Sequence, residues 1–190
     1  MCRKACNNVL DIADVNNEVD AEFINHITVL TFLGNDPAAL EAGLLNLNEK
    51  VYKKFTDYKK FQILALYQKG QELEAQKLKE EIGAFTDMQK WKFVASSKEE
   101  IEGFYASFNV DEPLVNLSST KAFLVDKNVN LRGRLHDEGI ENNKLFGYNL
   151  NSVAVLNGKL KDDVKVLYYE YYAAFKEKNK NKADRKEVGL

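Results

Sequence analysis

The sequence predicts an α/β fold in which a central mixed sheet is closed by a β-hairpin and flanked by helices, with a long C-terminal helix. Three observations carry this. Two apolar, strand-like runs, ITVLTFL at 27–33 and FQILALY at 61–67, are each followed by a segment of helical spacing. KAFLVD at 121–126, a polar turn and LRGRL at 131–135 form a strand–turn–strand pattern. Val153, Leu156, Leu160, Val164, Leu167, Tyr171 and Phe175 then step by three or four, the stripe of a long amphipathic helix.

Each element follows in order. Residues 1–26 are mixed in character and are expected to be an N-terminal arm over the core, with Val9, Leu10, Ile12 and Val15 forming a short strand or helix. The run 27–33 is a buried strand that stops at Gly34-Asn35. Asp36 suits a helix N-cap and Pro37 the first helical position, where no N–H is needed. Leu40, Leu44, Leu47, Val51 and Phe55 extend one apolar face to about residue 55. After the strand at 61–67, a charged helix spans 72–81, with Gly83 suited to its C-terminal cap. Trp91 to Val94 read as a short strand. Ser96 and Glu99 then read as a capping box for a helix bearing Ile101, Phe104, Tyr105 and Phe108. A long connection over 109–119 leads to the hairpin, and 136–147 is polar and loop-like. The folded domain is expected over 27–179, with 180–190 a charged, frayed tail.

The chain has 190 residues, 45% of them hydrophobic, enough for one sizeable core. With 27 Lys and Arg against 29 Asp and Glu, its near-neutral balance gives no electrostatic case for a nucleic acid or an anionic membrane partner. No apolar run reaches about 18 residues, so no membrane span is predicted. Neither is a secretory signal visible at Met1.

The element order is that of the thioredoxin fold with an inserted helix. Four segments, TVLTFLGNDPAALEAGLLNLNEKV, FQILALY, WKFVASSKEEIEGFYASFNV and KAFLVDKNVNLRGRL, resemble the SCO/SenC branch of thioredoxin-like proteins. The hairpin, with Asp126-Lys127 followed by Leu131-Arg132-Gly133, is the most family-like part. The resemblance implies a bacterial cell-envelope or periplasmic location, and a role near copper delivery to cytochrome oxidase or in thiol redox exchange. It also implies two cysteines at the turn after the first strand. Aligning Asp36-Pro37 with the first Cys-Pro of the family puts Asp36 and Leu40 at those positions. The histidine expected before the hairpin is absent from VNLSST at 115–120. Copper(I) favours thiolate and imidazole, and thiol exchange needs a thiolate. The resemblance therefore implies the scaffold with a degenerate site, a non-catalytic binding or assembly protein with a protein partner, and no cofactor.

Cys2 and Cys6 keep a C-x-x-x-C spacing of their own, flanked by Arg3 and Lys4, which favour thiolate. On a helix they would share a face and could hold a soft metal such as copper, or pair. This is the alternative reading, a copper-handling or thiol-disulfide protein, and it requires the pair to approach the turn at 34–38. The other reading of the pair is an ordinary N-terminal segment. His26 and His136 each stand alone, and surface or hydrogen-bonded roles are expected. Asp137, Glu138 and Glu141 after His136 form an acidic loop without EF-hand spacing, read as solvated. A hydrolase or transferase using Asp36 or this loop would need a pocket with two converging titratable groups. The density of aromatics at Tyr168, Tyr169, Tyr171, Tyr172 and Phe175 exceeds what one buried stripe needs, and Tyr168, Tyr171 and Tyr172 are a candidate protein interface.

Overall fold

The computed structural model describes residues 3–8, 23–137 and 144–187. The elements are β1 (Arg3–Asn8), β2 (Ile27–Gly34), a 3-10 turn (Pro37–Leu40) running into α1 (Glu41–Lys50), β3 (Phe61–Gln68), α2 (Glu72–Gly83), β4 (Trp91–Ser96), α3 (Lys98–Ala106), β5 (Ser118–Val125), β6 (Asn130–Gly133), β7 (Tyr148–Asn149), α4 (Val153–Val155) and α5 (Lys161–Glu187). A wide π-turn, Leu156–Leu160, joins α4 to α5.

The strand order is β1-β6-β5-β2-β3-β4, with β7 also pairing β5. β3 runs parallel to β2 and β4 parallel to β3, while β5 is antiparallel to both β2 and β6. The inner four strands, β6-β5-β2-β3, are two parallel strands plus a closing hairpin, which is the thioredoxin-like topology. β2 is central and every residue in it is buried, which explains its unbroken apolar run: a strand covered on both faces has no solvent side to make polar.

Alternate residues of β2 feed two cores. Val29 and Leu33 join Leu44 and Leu47 of α1, Leu160 of the π-turn, and Val164 and Leu167 of α5. Leu30 and Phe32 face the other way, onto Ile101 and Phe104 of α3. Phe32 is the hub of the second core, edge-on to Tyr105 at 5.1 Å and to Phe123 at 5.9 Å between ring centroids. Two charge networks fasten α5 to the hairpin. Arg132 on β6 bridges the buried Asp126 at 3.1 Å and Glu170 at 2.9 Å. Arg134 donates to Asp163 at 2.9 Å, and the same carboxylate oxygen accepts from Tyr148 Oη at 2.7 Å.

Several local expectations are corrected. Asp36 makes no side-chain cap bond, because the chain enters α1 through a 3-10 turn, whose Ala39 N–H is met by the Asp36 backbone carbonyl at 3.2 Å. The helix predicted to about residue 55 ends at Lys50 and gives way to a 3-10 turn, Tyr52–Lys54. Gly83 is the last helical residue, and the cap is Ala84 in a right-handed conformation. The capping box lies one residue later than predicted, on Ser97 and Glu100, because Ser96 is consumed as the last paired residue of β4. Helix α5 runs to Glu187. Finally, Cys6 lies in an edge strand on β6, Arg3–Asn8, rather than in a helix.

Candidate functional site

The carboxyl ends of the parallel strands, where ligands bind in many open α/β sheets, carry the turn after β2. Gly34 sits at φ +66°. Opposite it, Asn116 and Leu117 are both at positive φ, inside a two-residue hairpin turn closed by reciprocal bonds between Val115 and Ser118 at 3.0 and 2.9 Å. Asn35 N–H donates to Asn116 O at 3.2 Å, locking the two turns together. Asn suits this backbone region, whereas Leu117 pays about 1–2 kcal/mol to occupy it. A cleft of about 380 Å³ opens beside them, lined by Asn35, Gln68, Asn116 and Leu117 and by the Lys98–Glu102 pair. That pair is 3.8 Å apart and more than half exposed. The cleft offers amide donors and acceptors and one weak ion pair. These groups suit recognition; a nucleophile with an adjacent base is not among them.

The two positions that the resemblance assigns to cysteines face different surroundings. Asp36 is exposed, whereas Leu40 is buried at 5% exposure in the core packed by α1. Cys6 lies in β1, and Cys2 lies outside the described residues. The order β1-β6-β5-β2 puts Cys6 three strand spacings from β2, about 14 Å. Its register, between Lys4 opposite Arg132 and Asn8 opposite Asn130, sets it level with the first half of β2, away from Gly34. Among the described residues no group of three His, Cys, Asp or Glu side chains is placed to hold a metal ion. His26 lies 3.1 Å from Ile24 O through Nδ1. His136 is exposed, and the neighbouring Asp137 is engaged by Lys159; Glu138 and Glu141 lie outside the described residues.

The opposite end of the sheet carries a feature that sequence reasoning saw only in part. Tyr168, Tyr171, Tyr172 and Phe175 do lie along one side of α5, and they wall a groove of about 530 Å³ floored by Ile27, Phe61 and Val164. Tyr58 closes it from the β3 side, its ring 4.1 Å from that of Tyr168 and edge-on. Tyr168 and Tyr172 stack at 6.5 Å. Lys60 and Lys127 complete the lining. Neither lysine was read from the sequence as a neighbour of these aromatics: they come from two separate connections that only the sheet brings together.

Burial raises the phenol pKa of Tyr171, with the neighbouring Asp126 carboxylate adding to the effect. Burial likewise raises the phenols of Tyr52, Tyr67 and Tyr105. In the unfolded chain these groups ionise near pH 10. Above that pH the unfolded state binds fewer protons than the folded state, so stability falls as pH rises. The urea midpoint is expected to hold up to about pH 10 and to drop above it, with part of the loss removed by Tyr171→Phe.

No family model matches the chain, and no curated protein matches it. Solved structures do. A putative protein disulfide isomerase from Bacteroides thetaiotaomicron aligns at 9% identity and a TM-score of 0.48, covering 78% of this chain and 80% of the other. A thiol:disulfide interchange protein from Bacteroides sp. aligns at 15% identity and a TM-score of 0.48, covering 84% and 86%. BsSco, a member of the Sco family of cytochrome c oxidase assembly proteins, aligns at 14% identity and a TM-score of 0.44, covering 75% and 82%.

Proposed function

We propose that this chain is a thioredoxin-like binding or assembly protein of SCO/SenC type, acting in a bacterial cell envelope through protein contacts rather than through thiol or copper chemistry at the turn after β2. The observation that carries this is the turn itself: Asp36 is turned to solvent and Leu40 into the core, at the two positions where the family resemblance calls for cysteines. Neither side chain can supply a thiolate for exchange or for copper(I). The amide-lined cleft beside the turn suits hydrogen-bonded recognition. The envelope location rests on the segments that resemble SCO/SenC proteins.

Turnover of insulin disulfides, together with copper(I) competition under reducing conditions, tests the reading. The wild type is expected to reduce insulin no faster than the dithiol background and to show no tight one-to-one copper binding. Catalysed reduction, or tight copper binding that disappears in Cys2→Ser/Cys6→Ser, would replace it with the copper-handling or thiol-disulfide alternative.

A further inference from the structure

The groove at the amino-terminal end of β2 combines three properties that bear on what fills it. Its floor is apolar, with Ile27, Phe61 and Val164 all buried. Its outer wall is aromatic and open, since Tyr172 is 49% and Phe175 61% exposed. Its surroundings are cationic. Lys127 Nζ lies 3.9 Å from the centroid of the Tyr171 ring, and Lys176 Nζ lies 4.8 Å from that of Tyr172. Lys60 lines the groove with Lys127, so two positive charges lie in the lining and Lys176 adds a third over the Tyr172 ring. Among the described residues none of these three lysines is in an ion pair, and no acidic residue lines the groove. Three of the carboxylates nearby are already committed, Asp126 and Glu170 to Arg132 and Asp163 to Arg134, while Asp57 lies by Tyr58 at the rim.

We infer that this groove docks an acidic segment of a protein partner, with one apolar or aromatic side chain seated on Ile27, Phe61 and Val164 and flanking carboxylates meeting Lys60, Lys127 and Lys176. An apolar floor with unpaired cations around it is complementary to an apolar anchor bearing negative charge. Openness favours a segment of a larger partner over a free small molecule. Pockets for small ligands bury most of the ligand surface, whereas a wall half open to solvent is covered only when a second surface closes over it. Tyrosine-rich patches of this kind supply binding anchors at protein interfaces. The inference rests on the binding reading above and gives the chemistry of the partner; the insulin assay reports on that reading separately, so either can fail alone.

The test uses the full chain, immobilised, against a random peptide display library, in parallel with Lys60→Glu/Lys127→Glu and with Tyr172→Ala. All three substituted positions are at the surface or groove wall, and circular dichroism and urea midpoints check that each variant folds. Peptides selected on the wild type are expected to carry an apolar or aromatic residue flanked by Asp or Glu. A synthetic copy of the most enriched peptide is expected to lose at least about tenfold in affinity on the charge-reversed variant and on Tyr172→Ala. Four results would overturn the inference: no enrichment over the bare matrix, enrichment without acidic residues, affinity unchanged by the substitutions, or self-association through this face in sedimentation equilibrium.

Discussion

Replacing Asp163 by alanine is expected to destabilise the protein by about 3–5 kcal/mol, the range for removing one partner of a buried ion pair. The carboxylate is 2% exposed and accepts from both Arg134 Nε and Tyr148 Oη. Its loss leaves a part-buried guanidinium and a buried phenol without the acceptor they share. Arg134 keeps a longer approach to Asp137 at 3.8 Å, and its Nη2 donates to Lys159 O at 3.3 Å, which places the effect toward the lower end of that range. Asp163→Asn, which can still accept one of the two hydrogen bonds, should cost less. Tyr148→Phe should cost about 1 kcal/mol, one net hydrogen bond. Equilibrium urea denaturation of the three variants gives the ranking, and equal midpoints for Asp163→Ala and wild type would refute the hub role. Because Asp163 lies at the start of α5, the same change should also loosen the helix that carries the tyrosine groove.

Gly34→Ala is expected to cost about 2–5 kcal/mol: a left-handed penalty of about 1–2 plus overpacking of about 1–3. The backbone is at φ +66°, and a Cβ there would lie 2.3 Å from Asn116 O and 2.8 Å from both Leu117 C and Ser118 N. All three are backbone atoms, so no side chain can swing away to make room. The turn at 115–118 must move, and with it the bond from Asn35 N–H to Asn116 O. Hydrogen exchange at Asn35, compared between Gly34→Ala and wild type, reads that movement directly. Unchanged protection and an unchanged urea midpoint would show the two turns to be independent.

The parts of this molecule legible in its sequence are those where one physical demand acts alone. β2 and β3 could be read because strands covered on both faces keep long apolar runs, whereas β5 is continuously buried only in its second half, so its polar start at 118–120 carried no such signal. The stripe on α5 could be read because Val164 and Leu167 repeat at helical spacing. β1 is RKACNN, polar and at the sheet edge, so it carries no such signature. β7 has only two residues, held by pairing with Lys121 and Ala122. The capping box could be misplaced by one residue because Ser96-Ser97 and Glu99-Glu100 satisfy the pattern twice, and only the pairing of β4 with β3 decides between them. The Asp36 cap was plausible locally, yet a 3-10 entry to α1 left no place for it. The residues of the turn after β2 were legible, though not the inward burial of Leu40. In the groove the aromatics could be read and Lys60 and Lys127 could not, since tertiary structure alone brings them together. The same holds for Arg134 and Asp163, far apart in the chain.

The π-turn at Leu156–Leu160 sets the phase of everything after it. An α-helix advances about 100° per residue, so shortening that turn by one position would rotate α5 by roughly that angle about its axis. Leu167 would leave the core and a tyrosine would have to enter it. The same rotation would carry Asp163 and Glu170 away from Arg134 and Arg132, so the length of this turn ties the aromatic wall, the core stripe and the ion pairs of α5 to one another.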